Sequence, residues 1–180
     1  MVVLEHTGLV ARSARKGYRV AARLSPGQLT DLLEARLVVE LAAIERSTAT
    51  SVDFLAALRS AHEAHVQAAE DMFAAPGPDG LPTARAIRIY FDADWAFHLI
   101  LVEAADNTFL TEMLRGLGAH LHRMMQSVER GVNDCAAALD EHAAVLEALE
   151  AGDPDRAHQA LRTHLRQAQQ RALKDAASHR

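Results

Sequence analysis

From Pro26 onward the chain repeats one pattern, apolar residues at intervals of three and four, broken at only a few places by residues that stop a helix. In the first segment Leu29, Leu32, Leu33, Leu37, Leu41 and Ile44 carry it, with Arg36 and Glu40 on or beside the same face. A helix of period 3.6 gathers such positions on one side, so every segment must bury a face against its neighbours. Ser25-Pro26-Gly27-Gln28 announces the first helix: Ser caps, Pro suits the first helical position, and Gln three residues after Ser completes a capping box. The pattern predicts helices over about 26–46, 51–74, 84–104, 108–130, 134–151 and 154–177. The breaker-rich stretch 76–82 is the one clear loop of any length, while Gly152 ends a helix and Asp153-Pro154 starts the next. No fixed-period repeat or heptad series stands out, so the expected fold is all-α, one antiparallel bundle over 25–180.

Residues 1–24 read differently. Leu9-Val10-Ala11-Arg12 and Tyr18-Arg19-Val20, around a polar turn from Ser13 to Gly17, make a short β-hairpin. This head holds Arg12, Arg15, Lys16, Arg19 and Arg23 against Glu5 alone, a charge of +4 in a chain whose net charge is −5. A basic head before an acidic body is an asymmetry seen at nucleic-acid-facing ends, and a solvated tail has it too. The single cysteine, Cys135, excludes an internal disulfide framework, suits a reducing cytosol and reads as a small helix-packing residue. Glu5 and His6 interrupt the only apolar stretch at the N-terminus, and no run approaches a transmembrane length. The expectation is a soluble, cytoplasmic protein without a membrane partner.

Ten histidines invite a metal hypothesis, but most need not take part. His62 and His65, three apart on a polar helix face, and His120 and His122, divergent at a spacing of two, read as solvated surface or ordinary packing. His6, His158 and His179 read as exposed. Asp94, His98, His142 and His164 are different, because they lie on three predicted helices in apolar surroundings. Asp94 and His98 are four apart and project from one helix face. His142 and His164 are separated by one helix down, a tight turn and one helix back, which sets them level on adjacent antiparallel helices. One carboxylate and three imidazoles suit a first-row divalent ion such as Zn, Mn, Fe or Ni. A histidine on an apolar face is also a common core residue, and spacing alone leaves both readings open.

The same residues carry a family resemblance. Asp94-x3-His98 with Asn107 after it, then Glu141-His142-x2-Val145, Leu149-x2-Gly152-Asp153, and Ala157 and Ala160 before His164, resemble the signature of the FadR C-terminal domain (FCD) of GntR-family transcription regulators. Leu29-x2-Leu32-x-Glu34-x-Arg36-x3-Glu40 is similar to the first helix of that domain, and the likeness runs over about 28–172. It implies that Asp94, His98, His142 and His164 bind one divalent ion, zinc being the ion expected in a purified protein, whose open positions accept a small carboxylate effector. Arg36 matches an arginine that faces the effector pocket in that family, and its alternative is a helix-pair salt bridge. Arg123 is a second effector candidate, on the helix facing the same interior. Leu4-Glu5-x2-Gly8-Leu9-Val10 and Gly17-Tyr18-x-Val20 are similar to the end of the recognition helix and the wing of the GntR winged helix-turn-helix. By that likeness the first two helices of such a domain would precede Met1, and Arg12, Arg15, Lys16 and Arg19 would contact DNA phosphates.

The resemblance implies a ligand-responsive transcriptional regulator that is not an enzyme, has no catalytic residues and works as a homodimer. A metalloenzyme is a second class, since Asp/His3 with an open position would activate water, but no general base is placed nearby by the sequence. A truncated partner subunit that pairs with longer relatives is a third. A ferritin-like carboxylate protein fares worse, because no histidine has Glu three residues before it. An effector held by both ion and Arg36 leads to the expectation that Arg36→Ala weakens the effector alone.

Overall fold

The computed structural model describes residues 10–13, 17–20, 24–47, 51–127 and 135–178. Strands β1 (Val10–Ser13) and β2 (Gly17–Val20) pair antiparallel, with Val10 opposite Val20 and Ser13 opposite Gly17. Six helices follow: α1 (Pro26–Arg46), α2 (Val52–Ala74), α3 (Ala84–Glu103), α4 (Thr108–Ser127), α5 (Cys135–Glu150) and α6 (Pro154–Ser178). The all-α expectation for the body is met, with bounds shifted by a residue or two. The predicted extension of α4 to 130 and the predicted start of α5 at 134 fall outside the described residues.

The ends of the helices are set by local chemistry. The Ser25 hydroxyl accepts from the Gln28 amide at 3.2 Å and the Ser25 amide donates to Gln28 Oε1 at 3.1 Å, the reciprocal pair expected from the sequence. Ser51 and Thr83 cap α2 and α3 in the simpler way, accepting from Phe54 and Ala86. Asn107 Oδ1 accepts from the amides of Phe109 and Leu110 at the start of α4.

Between α5 and α6 the chain reverses within three residues. Gly152, at φ 67°, takes the left-handed conformation that a side chain disfavours, and its amide donates to Leu149 O. The Asp153 amide donates to Ala148 O, and Asp153 Oδ1 in turn accepts from Arg156 N. This short hinge lays α6 back along α5, so that residues about three turns either side of it stand level.

Helix α2 packs on α3 and α5, α6 on α5 and α1, and α4 across α1 and α3. Four apolar clusters result, and two of them bear on the site. One joins Leu41, Leu58, Phe97, Val145 and Leu161 from five helices, and the other joins Ala68, Met72, Tyr90 and Cys135. Along α2, α3 and α5 the residues between these two clusters are His65, Asp94 with His98, and His142. A polar stratum therefore crosses the middle of the bundle. Buried polar groups are tolerated only when partnered. Of the buried polar side chains described, Arg36, Glu40, His65, His98, His142 and His164 all lie in this stratum and only Thr111 lies elsewhere, which makes it the place to look for function.

Candidate metal centre

Asp94, His98, His142 and His164 each turn one ligand atom to a common point, and the four atoms lie within 4.8 Å of one another. The Nε2 atoms of His98, His142 and His164 form a triangle with every edge 3.2 Å. Asp94 Oδ1 lies 3.6 Å from His142 Nε2 and 3.9 Å from His98 Nε2. The three imidazoles are buried and the carboxylate is partly exposed.

The opposite nitrogens show which edge of each ring faces inward. His98 Nδ1 donates to Glu40 Oε2 at 2.6 Å, and Glu40 Oε1 accepts from Arg36 Nε at 2.6 Å. His164 Nδ1 donates to Glu141 Oε2 at 2.8 Å, and Arg171 grips both oxygens of Glu141 at 2.7 and 2.8 Å. A carboxylate accepts only, so each ring carries a proton on Nδ1 and turns its Nε2 to the centre, where the neutral ring offers a lone pair. Three nitrogens held about 2.0–2.1 Å from one ion would stand roughly 3.3–3.4 Å apart in a tetrahedral arrangement and roughly 2.9 Å apart in an octahedral one. The observed 3.2 Å lies between, so these residues fit a divalent cation.

Electrostatics points the same way. Burial opposes the charged form of Asp94, but His98, His65 and Arg36 outweigh it and hold the carboxyl below its ordinary range. Burial opposes the charge of Glu40 as well, yet Arg36 and His98 bring it down to about 2. Burial lowers His142 well below the ordinary histidine value and also lowers His164, against the pull of Glu141. The centre thus presents ionised carboxylates and, at His142 and His164, imidazoles that favour the neutral form, the protonation states a metal requires.

The four ligand candidates read from the sequence come together. Arg36 makes an ion pair, as its salt-bridge reading expected. It pairs with Glu40 one turn along α1, while its Nη2 is buried without a hydrogen-bond partner. Its guanidinium carbon sits 5.6 Å from the centre of the Trp95 ring. Arg123 lies on α4 with its side chain outside the described residues, as are the side chains of Arg12 and Arg19 on the strands and all of Arg15 and Lys16. His158 departs from the exposed reading, since it is partly buried 3.0 Å from Glu45 Oε1. His6, His122 and His179 fall outside the described side chains.

His65 departs most. Read as polar surface or packing, it is wholly buried, with Nδ1 3.2 Å from His142 Nδ1. Leu58, Ala61, Ala68, Ala69 and Met72 are buried around it at helical spacing, so the apolar stripe of α2 runs through position 65 and carried the signal. Phe97 is also part of the site, stacked on His142 at 4.1 Å and 8°. Arg171 lies seven residues after His164, two turns along one face of α6, a spacing too common to mark it beforehand.

The bundle is shared with solved GntR proteins. It matches a GntR transcriptional regulator from Rhodococcus sp. RHA1 with a TM-score of 0.76 at 21% identity, over 96% of this chain and 76% of that one. It matches E. coli McbR/YncC with a TM-score of 0.76 at 16% identity, over 93% and 78%. The metal-free FCD domain of TM0439 matches with a TM-score of 0.64 at 16% identity, over 86% and 98%. At these identities the likeness is one of fold, the helical fold found in GntR-family regulators. The sequence itself matches the FCD domain family over residues 31–167, and the chain belongs to that family. No curated protein matches the chain in sequence. Among the described residues no helix is long and apolar enough to cross a membrane.

Proposed function

We propose that the chain is the sensing part of a ligand-responsive transcriptional regulator, in which Asp94, His98, His142 and His164 hold one divalent ion and Arg36 receives a small carboxylate. The observation that carries this reading is the triangle of buried Nε2 atoms at 3.2 Å, two of whose rings give their Nδ1 atoms to carboxylates and turn Nε2 to the common point. When bound, the ion supplies positive charge and open positions for an anionic ligand. The unpartnered Nη2 of Arg36 is the group on this chain suited to the far end of such an anion, through a charge-assisted hydrogen bond. Zinc is the ion expected in the purified protein.

Elemental analysis of the purified chain should find one divalent ion per subunit, and His142→Ala or His164→Ala should remove it. A thermal-shift screen of small carboxylates, with and without chelator, then reads the effector by mass action. Carboxylate stabilisation that survives complete metal removal, with the four ligands replaceable without loss, would overturn the reading.

In the same reading residues 1–24 are the wing end of a winged helix-turn-helix and 25–180 are the sensing domain. Arg12, Arg15, Lys16 and Arg19 there touch phosphates, which position a protein without specifying sequence. DNA binding by this chain alone is expected to be weak and steeply salt-dependent, and operator selection at nanomolar affinity in physiological salt would refute that. The chain acts as a homodimer. Phe109 and Met113, one turn apart on α4 and 76% and 58% exposed, offer an apolar face for the pairing, which light scattering tests.

A further inference from the structure

The three imidazoles at the centre are not backed alike. Behind His98 stands Glu40, held by Arg36, and behind His164 stands Glu141, held by Arg171. Behind His142 stands another imidazole, that of His65, with the two Nδ1 atoms 3.2 Å apart. Two neutral rings at this distance share one proton, so one Nδ1 donates and the other accepts. The direction decides whether His142 can bind a metal. With the proton on His142 Nδ1, its Nε2 offers a lone pair beside those of His98 and His164. With the proton on His65 Nδ1, His142 must carry its own proton on Nε2, pointing into the centre.

Resting on the metal-centre reading above, we propose that His65 is a positioning residue for the metal: its Nδ1 accepts the Nδ1 proton of His142 and keeps the His142 lone pair turned inward. The stacked ring of Phe97 fixes the plane of His142, and His65 fixes which edge of that plane faces the ion. Tyr90 also packs against His65, with ring centres 4.5 Å apart. Its remaining nitrogen, Nε2, is buried and has no hydrogen-bond partner. That is the atom that carries the single ring proton of His65 when Nδ1 accepts. Unlike a carboxylate, a neutral imidazole adds no charge behind its ligand. His142 is therefore the least electron-rich of the three imidazole ligands, and the most dependent on its partner for orientation.

Outer partners of metal-bound histidines typically account for 10–100-fold in metal affinity. The test uses the full chain with cobalt(II) or zinc and three proteins: the wild type, His65→Asn and His65→Leu. Asn places an acceptor oxygen near the position of the imidazole Nδ1, whereas Leu fills similar space with none. His65→Leu should lose about 10–100-fold in affinity and shift the visible cobalt spectrum, and His65→Asn should keep both near wild type. Equal losses in the two variants, or a His65→Leu protein with unchanged affinity and spectrum, would overturn the proposal while leaving the metal centre standing. A wild type that binds neither ion would overturn both. A third measurement needs no variant: nitrogen-15 NMR of the zinc-loaded wild type should show His65 protonated on Nε2 and His142 on Nδ1. The reverse assignment would overturn the proposal even where a variant fails to fold.

Discussion

Glu40 Oε2 lies 2.6 Å from His98 Nδ1, joining a residue in the second half of α1 to a ligand candidate on α3 across fifty-eight positions of sequence. Both side chains are fully buried, and the other oxygen of Glu40 is taken by Arg36. The first helix thus enters the centre without giving it a ligand.

Glu40→Gln tests that contact. The amide still offers one oxygen to His98 but leaves the Arg36 guanidinium buried without its counter-charge. Breaking a buried ion pair from one side costs about 3–5 kcal/mol. Urea unfolding of the chelator-treated variant should show a loss of that order, and zinc competition should show affinity lower by about 10–100-fold.

Arg36→Ala is expected to weaken the effector and, to a lesser degree, the metal. The sequence alone pointed to the effector only. The contact from Arg36 Nε to Glu40 Oε1 adds the second effect, because Glu40 then holds His98 without an anchor. Titrations of carboxylate and of zinc on the same variant separate the two losses, and an unchanged zinc affinity would show that Glu40 keeps its place unaided.

Acid should destabilise the metal-free chain in two stages. His65 is lowered by burial to about 4, and His142 and His164 are lowered by the same cause, all from about 6.5. Their folded forms resist a proton that the unfolded chain accepts, so the stability they contribute is complete above about 6.5 and is lost as pH falls through their folded values. Glu40 follows, its contribution fading between about 4.5 and about 2. Urea midpoints of chelator-treated protein should fall between pH 7.5 and 4.5, and a flat profile there would contradict the histidine assignment.

Gly118→Ala probes how α4 meets the site. A Cβ at Gly118 would stand 3.0 Å from Trp95 Cζ2, and the Arg36 guanidinium lies 5.6 Å from the centre of that indole. An unobstructed helical glycine gains roughly 1 kcal/mol on becoming alanine. Here crowding of a rigid ring is expected to reverse the sign, with a loss of about 1–3 kcal/mol. Trp95 is the sole tryptophan, so its fluorescence reports the displacement directly.

What could be read from the sequence follows the range over which each feature is determined. Helix ends are set within four residues, so Ser25 with Gln28 and Gly152 with Asp153 announced them. Asp94 and His98 share one helix face, and His142 and His164 are tied by a hinge of known length, so each pair followed from geometry along the chain, while the joining of the two pairs was implied by the family resemblance. Glu40, Arg171 and His65 support the centre through helix crossings that periodicity does not determine. Glu40 was visible as a charge on or beside a buried face, with nothing in its own segment to name His98 as its partner. His65 was the most accessible of the three, since the stripe from Leu58 to Met72 has no gap at position 65.

The layer of charge and imidazole across the bundle also bears on its mechanics. Arg36 and Glu40 come from α1, His65 from α2, Asp94 and His98 from α3, Glu141 and His142 from α5, and His164 and Arg171 from α6. Among the described side chains, α4 alone adds nothing to it. Apolar layers let helices slide, because dispersion has little directionality, whereas hydrogen bonds fix both distance and angle. This one stratum therefore works as a keystone. One run of close polar contacts leads from His164 on α6 to Glu141 on α5, across the ring triangle to His98 on α3, and through Glu40 to α1, the helix that follows the hairpin in the chain.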